Sequence, residues 1–320
     1  MRTRLQIIRL GAIAASGLAF VGCRGCEKKA PASNAGGDAG AKAGVSTPDA
    51  ALKRVLARIP NRVDGVVAIG KTGVLAGRVA AFEERMRNDL LIGSVLSLAL
   101  HEAKRSLGFN PFSLGELRGN GFDPDGAMAL ATLPDGQILA VASVAGEFDA
   151  RAREIAARLM TIERWETRAT PAGPIVSAHA AGHRVKGDQS FSYAVRDGLV
   201  LLAPHRAGVV EAVKLLEEAR GLAAGDSFGQ TAWVKVEKHL RAEDGVTFWS
   251  SPRGAQRALK RLGLDFIVEP PVLAWSLTVA VLETGFAVDA FLPTRADATA
   301  RLREAMTAMR DAAFAGAVDG

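Results

Sequence analysis

Asp64-Gly65-Val66-Val67-Ala68-Ile69-Gly70-Lys71-Thr72 is the stretch on which the reading of the fold turns. Val66 to Ile69 form a short apolar run bounded by glycines, which reads as a buried strand. Thr72 is placed to cap a helix starting near Val74. The same order returns 180 residues later, where Asp244-Gly245-Val246 opens a run to Trp249 and Ser251-Pro252 caps another helix. A helix precedes each triplet: one near 48–58, the other opened by Ser227 and Gln230 at capping-box spacing.

Each copy then continues into a hairpin and a helix. Ala127 to Leu133, a turn at Pro134-Asp135-Gly136, and Ile138 to Val144 make the first hairpin. Phe148, Ala152, Ile155, Leu159 and Ile162 then lie on one helical face. In the second copy Leu273 to Leu282, Thr284-Gly285 and Phe286 to Leu292 make the hairpin, and a helix over 297–309 follows with Leu302, Met306 and Met309 on one side. The first copy has an additional hairpin, Phe191 to Val195 and Leu199 to Ala203 about Asp197-Gly198, and a helix carrying Val209, Val213 and Leu216. The segment 73–105 reads as helical, with Gly93 as a point of interruption. Antiparallel hairpins interleaved with helices define an α+β fold built on a degenerate helix-strand-helix-hairpin-helix repeat. The expected division is an α+β domain over 48–222 and a second over 223–320, each helix lying across the hairpin before it.

Upstream of the folded part, Arg2, Arg4 and Arg9 precede an apolar run from Leu10 to Val21, then Gly22-Cys23. The run is too short to span a bilayer and fits the core of an export signal over 1–22. Phe20-Val21-Gly22-Cys23 reads as a lipoprotein cleavage box, although an aliphatic residue is usual where Phe20 stands. Cys26 is the rival, but Arg24 two residues before it is foreign to an apolar cleavage site. Ordinary secretion would need an Ala-x-Ala site, and Ala12 to Ala14 lies inside the apolar core. Acyl chains on Cys23 would anchor the chain without a transmembrane helix. Residues 23–47 are then a tether poor in large apolar groups, with a mean reach of roughly 25 Å. Arginine at position 24, where aspartate would signal inner-membrane retention, points to the outer membrane. Lipidation leaves Cys26 without an intrachain partner, so no disulfide framework supports the fold.

The whole chain carries 40 Lys and Arg against 34 Asp and Glu. Three of the basic residues belong to the signal, so the mature chain is nearly balanced and its basic isoelectric point is no argument for nucleic acid. Aromatic side chains are 6% of the chain, too few for base-stacking platforms. The lipoprotein box, the tether, the helix–Asp-Gly–strand opening, and Gly121-Phe122-Asp123-Pro124 before a strand together resemble uncharacterised predicted lipoproteins of Gram-negative bacteria. The resemblance implies an exported, anchored protein and supplies no activity or catalytic residue.

Several motifs carry a chemical reading and a structural one. Gly65, Gly70, Lys71 and Thr72 match the P-loop expression. A P-loop places its strand before the first glycine and a turn between the glycines, whereas here the intervening residues are the strand. Backbone N–H groups in a sheet cannot cradle phosphate, and the second copy lacks the glycine and lysine. These residues are read as structural, with no cofactor expected. His179 and His183 have metal-ligand spacing for a helix, but Pro174 and Gly182 favour strand and turn, with no third ligand nearer than Asp188. His101-Glu102 begins like a zinc-protease helix and has Arg105 where histidine is needed. Asp123-Pro124-Asp125-Gly126 reads as a turn, not a calcium loop. No serine stands in a nucleophile elbow. The expectation is a non-enzymatic binding or structural module that contacts membrane lipid through Cys23 and another envelope protein. The alternatives are a carrier of an apolar ligand in a cleft, or an enzyme whose residues meet only in three dimensions.

Overall fold

The computed structural model describes residues 50–87, 92–146, 148–181, 190–237, 245–261, 274–282 and 285–291. Residues 1–49, with Cys23 and the tether, the histidine at 183, and the helix expected over 297–309 lie outside the described residues. The described elements are α1 (Ala50–Leu56), β1 (Gly65–Ile69), α2 (Thr72–Met86), α3 (Ile92–Leu107), α4 (Leu114–Gly119), β2 (Met128–Thr132), β3 (Ile138–Ser143), α5 (Phe148–Leu159), β4 (Ile162–Arg168), β5 (Ile175–Ala180), β6 (Phe191–Arg196), β7 (Leu199–Pro204), α6 (Val209–Gly221), α7 (Phe228–Thr231), β8 (Gly245–Ser250), α8 (Pro252–Arg261), β9 (Trp275–Leu282) and β10 (Gly285–Phe291).

The strands form one antiparallel sheet in the order β10-β9-β8-β1-β2-β3-β7-β6-β5-β4. The fold is therefore α+β. Strands from both sides of residue 222 share it, and β1 pairs directly with β8, Gly65 opposite Ser250 and Ile69 opposite Val246. The meanders β1-β2-β3 and β8-β9-β10 run outward in opposite directions from that central ladder. Helices cross it: α2 packs over β9, and Arg257 of α8 donates to the Pro134 carbonyl in the β2–β3 turn and to the Asp64 carboxylate.

Gly65-Val66 and Gly245-Val246 open neighbouring strands, with Asp244 outside the described residues, but their side chains do not correspond. Antiparallel partners point to the same face, so Val66 shares its face with Trp249, and Val246 shares its face with Ile69. Val66 belongs to the main core, whereas Val246 packs against Leu75, Val79 and Phe82 of α2 on the other face. The triplets are out of phase by one residue, and in a pleated strand one residue is enough to change faces.

The main core lies between one face of the sheet and α1, α6 and α7. Leu52, Val55 and Leu56 of α1 are wholly buried there, with Leu215 and Leu216 of α6 and Phe228 of α7. Each such side chain contributes about 1.5–3 kcal/mol on leaving water. The opposite face carries α2, α3 and α5. Phe148 and Ala152 of α5 pack on Ala142 of β3 and on Tyr193 and Val200 of β6 and β7. The cluster under that helix takes in the β2–β3 hairpin through Met128 and Ala142 and continues over the outer strands, because β7 adds to β3 and extends the apolar surface. The helix ends at Leu159, and Ile162 belongs to β4, an edge strand with exposed Glu163, Arg164, Glu166 and Arg168. Charges along an edge strand oppose pairing with other chains. The helical stretch over 73–105 is two helices, and Gly93 lies within the second, not at the interruption.

Candidate functional site

The residues of the P-loop match lie in β1 and at the start of α2. Gly65 to Ile69 pair with β2 on one side and β8 on the other, so their N–H groups are committed to the sheet. Lys71, not Thr72, occupies the N-cap position of α2. The Thr72 hydroxyl faces the carbonyls of Asp123, Pro124 and Gly126 at 3.1, 3.2 and 3.3 Å, and its N–H donates to Gly126. Thr72 therefore clasps the 123–126 loop. Within that loop Asp123 Oδ1 accepts the Asp125 N–H at 3.0 Å, which closes the expected turn.

His179 stands on β5, mostly buried, and its neighbour is a residue that spacing did not single out. The β5-β6-β7 ladder brings His205, just after β7, to 5.6 Å between ring centroids. His205 Nε2 is 2.8 Å from Ser192 Oγ, which is 2.7 Å from Ser177 Oγ. Glu166 on β4 lies 3.4 Å from His179 Nε2. Burial, then the neighbouring His179, lowers the His205 pKa to about 4, so this imidazole is neutral at pH 7. The arrangement has a serine beside a histidine but not the geometry of acyl transfer. Ser192 is fully buried, and the carboxylate approaches His179 instead of orienting His205. No group of three or more His, Cys, Asp or Glu among the described residues is disposed to hold a metal ion.

The candidate binding site is a cleft of about 270 Å³ where α1 meets the β6–β7 turn and α7. Arg54 stands on α1 and Arg58 in the turn just after it, and both side chains reach Asp197. Arg54 Nη2 donates to the Asp197 carbonyl at 2.8 Å, and Arg58 pairs with the Asp197 carboxylate at 3.2 Å and donates to the Arg220 carbonyl at 3.0 Å. Asp197 and Gly198 both have positive φ, as a tight two-residue turn requires, and this turn holds the aspartate against α1. The expected capping box at Ser227 and Gln230 does not form: α7 is only four residues long, and Ser227 makes no side-chain cap bond. Ser227 instead bridges to Pro60, is 1% exposed, and lines the cleft with no partner for its Oγ among the described residues. Gln230 is exposed at the rim. Leu199, Leu222, Ala57 and Ala223 supply the apolar wall. Beyond Leu222 and Ala223 a more open depression carries Glu217, Glu218 and Asp226.

Asp197, Leu199, Ser227 and Gln230 carry turn, strand and capping signals in the sequence, and none of the cleft residues carries a sequence signal for a site. No helix among the described residues is long and apolar enough to cross a membrane.

No family model matches the chain, and no curated protein does. Among solved structures, crystal form III of TP0453 is 11% identical, covering 75% of this chain and 80% of that one with a TM-score of 0.41. Crystal form I of TP0453 is 10% identical, covering 74% and 76% with a TM-score of 0.36. A likeness this slight carries no argument about what the chain does.

Proposed function

We propose that this chain is an exported protein anchored in the outer membrane through lipid on Cys23, related to the uncharacterised lipoproteins it resembles, and that its folded part binds another envelope component without transforming it. The observation that carries the anchor is Phe20-Val21-Gly22-Cys23 after a basic start and a short apolar run. Residues 23–47 hold the α+β module off the lipid surface. Binding is favoured over chemistry because the pairing of a base and a hydroxyl seen among the described residues, His205 with Ser192, is sealed in the sheet. The open cleft holds arginines and no histidine. The carrier of a long apolar ligand is less well supported: Arg54, Arg58, Asp197, Ser227 and Gln230 stand in the wall of the cleft beside its four apolar residues.

Replacing Cys23 by serine in a Gram-negative host tests the anchor. The parent chain should sediment with the outer membrane, and Cys23→Ser should be released or remain unprocessed. Identical fractionation of the two would contradict the proposal.

A further inference from the structure

We propose that the cleft between α1, the β6–β7 turn and α7 binds a carboxylate attached to a short apolar body. The inference rests on the binding-module reading and names the ligand class of that module. Two arginines face one aspartate across the cleft, leaving one net positive charge in its wall. Arg58 is occupied by Asp197 and the Arg220 carbonyl, but Arg54 commits one N–H of its fork to protein among the described contacts. The remaining donors of a planar guanidinium match the two oxygens of a carboxylate.

Ser227 stands in the wall with its Oγ sealed from solvent, so it shapes the cleft and does not offer its hydroxyl to a ligand. Gln230 adds an exposed amide at the rim. Leu199 and Leu222 give an apolar body something to pack against. Glu217 and Asp226 in the adjoining depression repel a second negative charge, while Glu218 there is paired with Arg62. The same wall therefore selects a monoanion over phosphate or a nucleotide. A free short-chain acid and the C-terminus of a peptide share this chemistry.

Titration calorimetry on the full chain in detergent tests the site and separates the two sources. The probes are hexanoate, hexanamide, a short peptide ending in leucine with a free carboxylate, the same peptide amidated, and inorganic phosphate. One or both carboxylates should bind saturably, with the tighter of the two identifying the source. Both amides and phosphate should bind at least about tenfold more weakly. Arg54→Gln should weaken carboxylate binding about tenfold, with circular dichroism and a urea midpoint confirming that the variant folds. Absence of binding by both carboxylates, equal binding of acids and amides, or an unchanged affinity in folded Arg54→Gln would overturn the inference. Any of these leaves the anchor on Cys23 standing, because the fractionation of Cys23→Ser is read separately.

Discussion

His205 should make stability fall between pH 7 and pH 5. Its native pKa is lowered to about 4, first by burial and then by His179, whereas an unfolded histidine titrates near 6.5. The unfolded chain therefore binds the proton more readily, and stability present above pH 6.5 is lost as pH falls toward 4. Across the whole window the shift amounts to about 3 kcal/mol, and between pH 7 and pH 5 to about 2 kcal/mol. The groups facing His205 are Ser192 and His179, with Glu166 behind His179. His205→Gln keeps a hydrogen-bonding side chain near Ser192 and removes the titration. Urea unfolding from pH 4.5 to 7.5 on both proteins isolates the contribution of His205 from every other titrating group. The parent protein should lose about 2 kcal/mol more than the variant between pH 7 and pH 5. Parallel pH profiles would show that His205 titrates normally and that its burial beside His179 is wrongly assigned.

Other consequences follow from the packing. Thr72→Val removes the hydroxyl that clasps the 123–126 loop and should cost about 1–2 kcal/mol in urea unfolding, with Thr72→Ser closer to the parent. Arg257→Met should cost about 1–3 kcal/mol by stranding the nearly buried Asp64 carboxylate, and adding Asp64→Asn should recover part of that loss. Gly126→Ala would drive a methyl group into Ser143 and break the bond from the Ala127 N–H to Ser143 Oγ, lowering stability by more than about 2 kcal/mol. Tyr193 is the sole tyrosine of the chain, and burial raises its pKa, so phenolate absorbance should appear only above the ordinary range near pH 10. Stability from the neutral phenol is present below pH 10 and is lost as pH rises further, so the absorbance change and unfolding should coincide.

Local chemistry made much of the fold legible. Asp197-Gly198 has the positive φ pair that a two-residue hairpin needs, and the apolar runs on either side of it are β6 and β7. Ser251 accepts the Gly254 N–H at 3.0 Å at the start of α8, as its place before a proline indicates. β4 was illegible because Glu163-Arg164-Trp165-Glu166-Thr167-Arg168 buries little and is held by pairing with β5, a tertiary fact. The one-residue phase difference between the triplets was also hidden, since the register of β1 on β8 joins residues about 180 positions apart. The same limit explains the sites. His179 showed only His183 as a sequence neighbour, while His205 reaches it through two intervening ladders. Ser227 carried a capping signature, but its N–H-rich neighbours belong to a four-residue helix pressed against Ile59, where Phe228 N–H donates to the Ile59 carbonyl at 2.7 Å. Arg54 and Arg58 resembled any solvated helix face until Asp197 and Leu222 closed around them.

The anchor on Cys23 is the claim from which the cellular role follows, and the mature N-terminus reports on it directly. Mass spectrometry of the protein taken from membranes should find a chain that begins at Cys23 and carries diacylglycerol on the thiol, with none of residues 1–22 attached. An unmodified cysteine in a chain beginning at any other residue would contradict the account.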